Sequence, residues 1–108
     1  MELKKVTAIV RTHVLEEVEN KLKEICACGV TISNVEGYGE YANLFKRDWL
    51  VPQVKIEIFT KKEDAETIAF AIMEASHAAG SDDGIVAVLP VEKLFRVRSK
   101  AEVDCDDI

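Results

Sequence analysis

Two strand-like runs separated by a long polar stretch constrain this chain more than any other feature. The first run covers residues 30–39 and the second covers residues 54–60. The second run alternates apolar and polar residues, which is the period of a strand with one buried face. The connection, residues 40–53, is far longer than the roughly two to five residues of an ordinary hairpin loop, and loops of that length are usually functional. We therefore predict a functional loop over residues 40–53 between two paired strands.

Strands and amphipathic helices alternate along the rest of the chain. The pattern predicts further strands over residues 5–11 and 85–91, a short fifth strand over 94–98, and helices over about 14–27 and 60–78. Thr60-Lys61-Lys62-Glu63 fits a capping box at the start of the second helix. The residues predicted to be buried on that helix are Ala65, Ile68, Ala69, Ile72, Met73 and Ser76. The order βαββαβ indicates an α+β protein with the ferredoxin-like fold, a four-stranded antiparallel sheet with two helices on one face.

Such a fold leaves the second face of the sheet without a covering layer. The residues predicted on this open face are a mixed apolar and polar set: Thr7, Ile9, Arg11, Thr31, Ser33, Lys55, Glu57 and Phe59. An uncovered sheet face usually finds a partner, so the pattern favours an oligomer.

Charge and hydropathy exclude several classes of protein. The 108 residues include 20 acidic and 14 basic side chains, which give a formal net charge of −6. A negative field repels phosphate backbones, which argues against nucleic acid as the main partner. No apolar run approaches the roughly 18 residues of a membrane span, and the first residues lack an apolar signal core. We expect a single cytoplasmic domain over residues 1–108, not a membrane protein, with a flexible acidic tail over about 100–108.

The sequence contains few residue patterns that are typical of catalytic sites. His13 and His77 lie in different predicted elements with no acidic residue close in sequence to either, so a general-base role is not favoured. The three cysteines, Cys26, Cys28 and Cys105, are an odd number without a framework spacing, which argues against a secreted disulfide scaffold. The first two point apart on an ideal helix, and we expect them to be buried or semi-buried thiols. A metal-binding module or a small enzyme that uses Cys26, Cys28, His77 or Cys105 remains the alternative function.

Glycines and arginines supply the better candidates for binding. Gly37 and Gly39 allow close backbone approach at the end of a strand. The Asp82-Asp83-Gly84 segment is either a simple turn or a place where backbone N–H groups point at an anion. Arg96 and Arg98 alternate on one side of the last run, an arrangement suited to phosphate or carboxylate, although exposed edges also carry arginines for solubility.

Taken together, these motifs resemble the PII signal-transduction family over nearly the whole chain. The resemblance rests on the element order, on Val35-Glu36-Gly37-Tyr38-Gly39 at the end of the second strand, on Asp83-Gly84, and on Phe95-Arg96-Val97-Arg98. It implies a non-catalytic homotrimer that binds adenine nucleotide in clefts between subunits and regulates an enzyme or membrane transporter through its long loop. The nucleotide-binding residues implied by position are Ile9, Gly29, Thr31, Gly37, Gly39, Glu57, Phe59, Asp83, Gly84, Arg96 and Arg98.

Departures from the family pattern change the expected ligand. Glu40-Tyr41 replaces the Arg-Gln pair after the family's Gly-aromatic-Gly, Ile85 replaces the phosphate-loop lysine, and Asp82 replaces a glycine. One cation fewer and one anion more disfavour a triphosphate, so ADP or AMP is expected to bind more tightly than ATP. The short loop resembles that of divergent PII-like proteins associated with inorganic-carbon uptake and carboxysomes.

Residues of the loop supply a possible second ligand site. The side chains assigned to it are Tyr41, Lys46, Arg47 and Trp49. The two cations suit a small anion such as bicarbonate, which the resemblance implies as a co-ligand of the nucleotide; the alternative is that both are simply solvated. Neither a resident cofactor nor a metal is expected.

Overall fold

A computed structural model describes residues 2–37 and 51–103. In chain order the elements are β1 (Leu3–Arg11), a 3-10 turn (Thr12–Val14), α1 (Leu15–Glu24), β2 (Val30–Gly37), β3 (Val51–Lys61), α2 (Lys62–Ala78), β4 (Ile85–Val91), β5 (Phe95–Arg96) and β6 (Ala101–Glu102). The first four strands form one sheet in the order β2-β3-β1-β4, and every neighbouring pair is antiparallel. The predicted ferredoxin-like fold is therefore confirmed. Gly39, Tyr41, Lys46, Arg47, Trp49 and Cys105 lie outside the described residues.

The alternation of buried residues in β1 over residues 6–10 and in β3 over residues 54–60 builds the core. Ala8 lies opposite Ile56 on one side and Val86 on the other, and all of these side chains face the helices. Val18 of α1 and Ile72 of α2 are fully buried against this face. Because successive strand residues point to opposite faces, the same register places the polar members of β1 and β3 on the open face. Burial of the apolar set, at about 25 cal/mol per Å² removed from water, provides the main stabilisation.

The first helix is shorter than its amphipathic pattern predicts. It begins at Leu15, after the 3-10 turn, and ends at Glu24. Cys26 follows with a left-handed φ of 59°, and the Ala27 N–H donates to the carbonyl of Leu22 at 2.9 Å. This bond closes the helix in the manner of a Schellman motif, in which the left-handed residue is usually glycine. Cys26 therefore terminates the helix that ends at Glu24, three residues before Gly29.

The predicted capping box at Thr60 is wrong. Strand β3 continues to Lys61, and Thr60 is buried in the sheet opposite Lys4. Lys61 precedes the helix in an extended conformation without a side-chain cap, and the Lys62 N–H instead donates to the carbonyl of Glu2 at 3.1 Å. Pairing with β1 thus outweighs the local capping signal.

Helix α2 buries a slightly different face from the predicted one. Met73 is 43% exposed, so its assignment to the core is wrong, whereas the other five predicted positions are buried. Ala71 and Ala75 are buried in addition. These small side chains suit a helix that contacts both α1 and the sheet.

The connection before β3 is also shorter than predicted. Val51, Pro52 and Gln53 belong to the strand rather than the loop. Gln53 is 2% exposed and lies opposite Arg11, the last residue of β1. Pro52 pairs only with Glu36 of β2 and lies beyond the end of β1, so its missing N–H removes no bond to that strand.

The C-terminal part forms a small hairpin. The predicted strand over 94–98 is reduced to Phe95–Arg96, which pairs with Ala101–Glu102. The Val103 N–H donates to the carbonyl of Leu94 at 2.8 Å, and the Val103 side chain is buried. The flexible tail predicted from about residue 100 therefore begins too early, because residues 101–103 are held by this hairpin.

Candidate ligand-binding clefts

A cleft of about 710 Å³ lies beside the C-terminal hairpin. We call it the hairpin cleft. It brings together four of the residues predicted to bind nucleotide, with others: Cys28, Gly29, Phe59, Leu94, Phe95, Arg96, Val97, Arg98 and Val103. Two guanidinium groups, two aromatic rings and an exposed glycine backbone therefore border one opening. Such a set provides cations for oxyanions and an apolar face for a planar ring.

Local backbone geometry positions these side chains. Gly29 has a φ of 67° and leads directly into β2, and a Cβ added there would meet nothing within 4 Å. Arg96 pairs with Ala101 in the hairpin, and its carbonyl accepts from the Lys100 N–H at 2.9 Å across the turn that carries Arg98. The hairpin thus holds both arginines at the rim, while Phe59 projects from β3 with 40% of its surface exposed.

Glu57 and Thr31, two further predicted nucleotide residues, lie on the open sheet face instead. They are paired across β2 and β3, and neither lines the hairpin cleft in the part of the chain described. Glu57 forms an ion pair with Lys5, and the Lys55 Nζ lies 3.8 Å from its other carboxylate oxygen. The hydrogen bond from Lys5 lowers the pKa of Glu57, helped by the charges of Lys5 and Lys55 and opposed by partial desolvation. Lys5 also lies 5.9 Å from the centre of the Phe59 ring.

A second cleft, of about 250 Å³, contains the Asp82-Asp83-Gly84 turn. We call it the turn cleft; its lining residues are Val10, Met73, Ser76, His77, Ser81, Asp82, Asp83, Gly84, Ile85 and Val86. Asp83 accepts hydrogen bonds from Arg11 Nε at 3.0 Å and Nη2 at 2.8 Å. His77 Nδ1 lies 2.7 Å from Asp82 Oδ1. The expectation that His77 has no acidic neighbour is therefore wrong.

Gly84 is held against the central strand. Its φ is 119°, and a Cβ at this position would lie 2.6 Å from the carbonyl oxygen of Ile9. Only glycine fits so close to the β1 backbone without a shift of the chain. The structure therefore brings Gly84 and Ile9, both predicted nucleotide residues, into direct contact.

The predicted nucleotide residues thus fall into separate places on one chain. Gly29, Phe59, Arg96 and Arg98 border the hairpin cleft, with Thr31 and Glu57 on the neighbouring sheet face, whereas Asp83 and Gly84 line the turn cleft beside Ile9. Gly37 is at the end of β2, opposite Val51. The described part of a single subunit therefore does not assemble these residues into one pocket.

One contact of Arg11 and the exposure of two cysteines were not predicted from the sequence. Arg11 was assigned only to the open face, yet its main described partner is Asp83, 72 positions away in sequence. No local pattern predicts such a pair; the adjacency of β1 and β4 in the sheet does. The prediction that Cys26 and Cys28 are buried or semi-buried is wrong: both are exposed free thiols, because the helix ends before them.

Comparison with known proteins decides the family. The family model described as nitrogen regulatory protein P-II matches residues 3–101. The chain belongs to the P-II family. The P-II protein of Azospirillum brasilense is 32% identical over 104 residues, covering 90% of this chain and 93% of the relative. A P-II homolog of Arabidopsis thaliana is 36% identical over 103 residues and 88% of this chain, but this chain spans only 53% of its length.

A solved structure of a relative agrees with this family assignment. The crystal structure of Arabidopsis thaliana PII bound to citrate superposes with a TM-score of 0.79 at 36% identity, covering 95% of this chain and 90% of that one. Membership confirms the predicted resemblance and the prediction of a non-catalytic regulatory protein. Within residues 2–37 and 51–103, no helix is long and apolar enough to cross a membrane. The same residues contain no group of three or more His, Cys, Asp or Glu that could hold a metal ion.

Proposed function

We propose that this P-II protein is a sensor of adenine nucleotides that binds its ligand between the subunits of a homotrimer. The observation that carries the proposal is the separation of the predicted nucleotide residues into the hairpin cleft and the turn cleft. A composite site forms when the hairpin cleft of one subunit faces the turn cleft of its neighbour. Each subunit then contributes one half to each of two sites, as cyclic symmetry requires.

The two halves supply complementary chemistry. In the hairpin cleft, the Phe59 ring packs against the base, and Arg96 and Arg98 neutralise phosphate oxygens through charge-assisted hydrogen bonds. In the turn cleft, Gly84 brings the backbone close to β1. The Asp83 N–H donates to Ser81 Oγ at 3.3 Å, so the remaining N–H groups of the turn are the proposed donors to the ligand. The pair between Arg11 and Asp83 braces this turn against the sheet.

Exposed apolar side chains on the open sheet face support the oligomer. Phe59, Ile85 and Leu89 belong to this face by strand register, with exposures of 40%, 49% and 41%. Apolar groups so exposed gain about 25 cal/mol per Å² when a partner covers them. The P-II family membership points to three copies of this chain as the assembly.

Charge in the turn cleft sets the proposed nucleotide preference. Ile85 leaves this turn without the cation that a lysine would provide, and the Asp82 carboxylate is solvent-exposed beside His77. A third phosphate brings further negative charge to a region with one carboxylate not paired to an arginine. ADP or AMP is therefore proposed to bind more tightly than ATP.

Signalling is proposed to run through the loop, in the cytoplasm, to a transporter or an enzyme. Lys46 and Arg47, with Tyr41 and Trp49, are the proposed contacts for bicarbonate beside the nucleotide. The names of the relatives favour nitrogen status as the regulated variable, and the citrate in the Arabidopsis structure supports including carboxylates among the ligands tested.

The proposal is tested by calorimetric titration of the trimer with ADP, AMP and ATP, each with and without bicarbonate or citrate. We expect binding of the diphosphate or monophosphate without turnover, and sedimentation at micromolar concentration should show a trimer. Hydrolysis of the nucleotide, or stoichiometric binding of Zn²⁺ that is lost when Cys26 and Cys28 are replaced by serine, would favour the enzyme or metal-binding alternative. A monomer without affinity for any nucleotide would refute the inter-subunit site.

A further inference from the structure

Two exposed thiols lie between α1 and β2, and one of them borders the hairpin cleft. Cys26 and Cys28 are both free and solvent-exposed, although unpaired cysteine is among the residue types most often buried. Cys28 is one of the residues that line the hairpin cleft, together with Arg96 and Arg98. The family function described above gives neither cysteine a role.

The turn after α1 places the Cys28 thiol against the backbone of Cys26. Cys26 has the left-handed φ of 59°, and the Cys28 sulfur lies 3.5 Å from the Cys26 carbonyl oxygen, so the chain folds back on itself here. Both cysteines also border a smaller depression of about 200 Å³ beside Thr60 and Asp64. Cys28 therefore borders both openings, whereas Cys26 borders only the smaller one.

This difference separates the two thiols chemically. The surroundings of Cys28 in the hairpin cleft include two guanidinium groups, which raise the local concentration of an anionic reagent. The depression that both cysteines border contains Asp64 instead. An anionic disulfide is therefore drawn to Cys28 in preference to Cys26.

We propose that Cys26 and Cys28 are a thiol-modification site in which Cys28 reacts first with an anionic low-molecular-weight disulfide such as glutathione disulfide. The Cys28 thiolate attacks one sulfur of the reagent, a mixed disulfide forms, and the other half leaves as a thiolate that takes up a proton. The Cys26 thiolate then attacks the Cys28 sulfur and releases the second half. The net change oxidises two protein thiols to one disulfide and reduces one reagent disulfide to two thiols.

The mixed disulfide has a consequence for the cleft. A peptide-sized adduct on Cys28 occupies space that Gly29, Phe59 and Arg98 border. This excludes another anionic ligand from the same opening. The effect on nucleotide binding rests on the function proposed above, whereas the site of modification does not.

Mass-spectrometric mapping of the thiols tests the order of reaction. The wild-type sequence and the Cys26→Ser and Cys28→Ser variants, each with Cys105→Ser to remove the third thiol, are treated with glutathione disulfide. We expect the Cys26→Ser protein to accumulate a mixed disulfide at Cys28 and the protein with both thiols to form an internal disulfide. The Cys28→Ser protein should be modified at Cys26 about tenfold more slowly. Cystamine, a cationic disulfide, is the matched reagent and should lose this preference for Cys28.

Two further measurements separate this inference from the proposed function. Amide hydrogen exchange over residues 94–98 should slow when the Cys26→Ser protein carries the adduct, and calorimetry should show that it no longer binds ADP until a reductant removes the adduct. Equal reaction of Cys26 and Cys28, or unchanged exchange over 94–98, would overturn the inference. If the reduced protein binds no ADP while Cys28 reacts first and exchange slows, the proposed function fails and the modification site stands.

Discussion

Replacement of Gly84 by alanine tests how the turn cleft is built. Gly84 leads from the loop after α2 into β4 with a φ of 119°, and an added Cβ would lie 2.6 Å from the Ile9 carbonyl oxygen. The same Cβ would lie 3.4 Å from the Cα of Val10. Both neighbours belong to the central strand β1; Ile9 is paired with β3 and β4, and Val10 is paired with β3, so this backbone cannot rotate away. We therefore predict that Gly84→Ala destabilises the protein strongly.

The loss in the free energy of unfolding expected for Gly84→Ala has two parts. A residue with a Cβ in this backbone region costs about 1–2 kcal/mol. The contact at 2.6 Å is well inside the roughly 3.5 Å at which carbon atoms attract each other, and overpacking of this kind adds about 1–3 kcal/mol. The expected loss in the free energy of unfolding is therefore about 2–5 kcal/mol.

Gly80→Ala is the matched control. Gly80 also has a positive φ, 88°, but a Cβ there would meet nothing within 4 Å. It should lose only the backbone part, about 1–2 kcal/mol. Urea unfolding followed by circular dichroism gives both values, at one protein concentration because the stability of an oligomer depends on concentration. Equal losses in the two variants would refute the argument from close approach.

Three further predictions concern ligands and charge. Arg96→Ala and Arg98→Ala should each weaken ADP binding by about 1.5–3 kcal/mol, roughly tenfold to a hundredfold by calorimetry. The control Lys62→Ala removes an exposed cation paired with Glu2 and should leave the affinity for ADP unchanged. Unaltered affinity in both arginine variants would contradict the site. Ile85→Lys should shift the preference towards ATP, and an unchanged ratio of affinities would count against the charge argument. Because the folded-state pKa of Glu57 is lowered from its ordinary 4.5, its ion pair stabilises the fold above that value and is lost as the pH falls through the folded pKa. Glu57→Gln should therefore flatten the dependence of stability on pH below about 4.5, and an equally steep dependence would contradict the assignment.

The sheet could be predicted because the alternation of apolar and polar residues is visible within each strand. Strand β4 has the predicted bounds, Ile85–Val91, and the alternation of β1 and β3 places Ala8 and Ile56 in the core as expected. A period of two residues survives in any antiparallel sheet with one covered face, so no knowledge of the partner strand is needed. The element order then restricts the topology to very few arrangements.

The element ends were predicted less well because tertiary pairing decides them. Thr60 offers a helix cap in sequence, but in the structure it pairs with Lys4 of β1, and the first backbone donor of α2 is satisfied by Glu2. Cys26 takes the left-handed position after α1 that a glycine usually fills. In both places a contact made elsewhere in the chain, or a closing bond of the helix, outweighs an intrinsic preference.

In the candidate site too, features visible locally in the sequence were predictable, whereas contacts made by tertiary pairing were not. The grouping of Arg96 and Arg98 at one cleft was predictable from their alternation, but the pair between Arg11 and Asp83 was not, because the two residues meet only when β1 and β4 are adjacent. This pair supports the charge argument for the turn cleft. The guanidinium of Arg11 compensates the Asp83 carboxylate, which leaves Asp82 as the carboxylate of the turn without an arginine partner. The nucleotide preference proposed for this turn therefore depends on Asp82 and on the missing cation at Ile85, two positions at which the sequence departs from the family pattern.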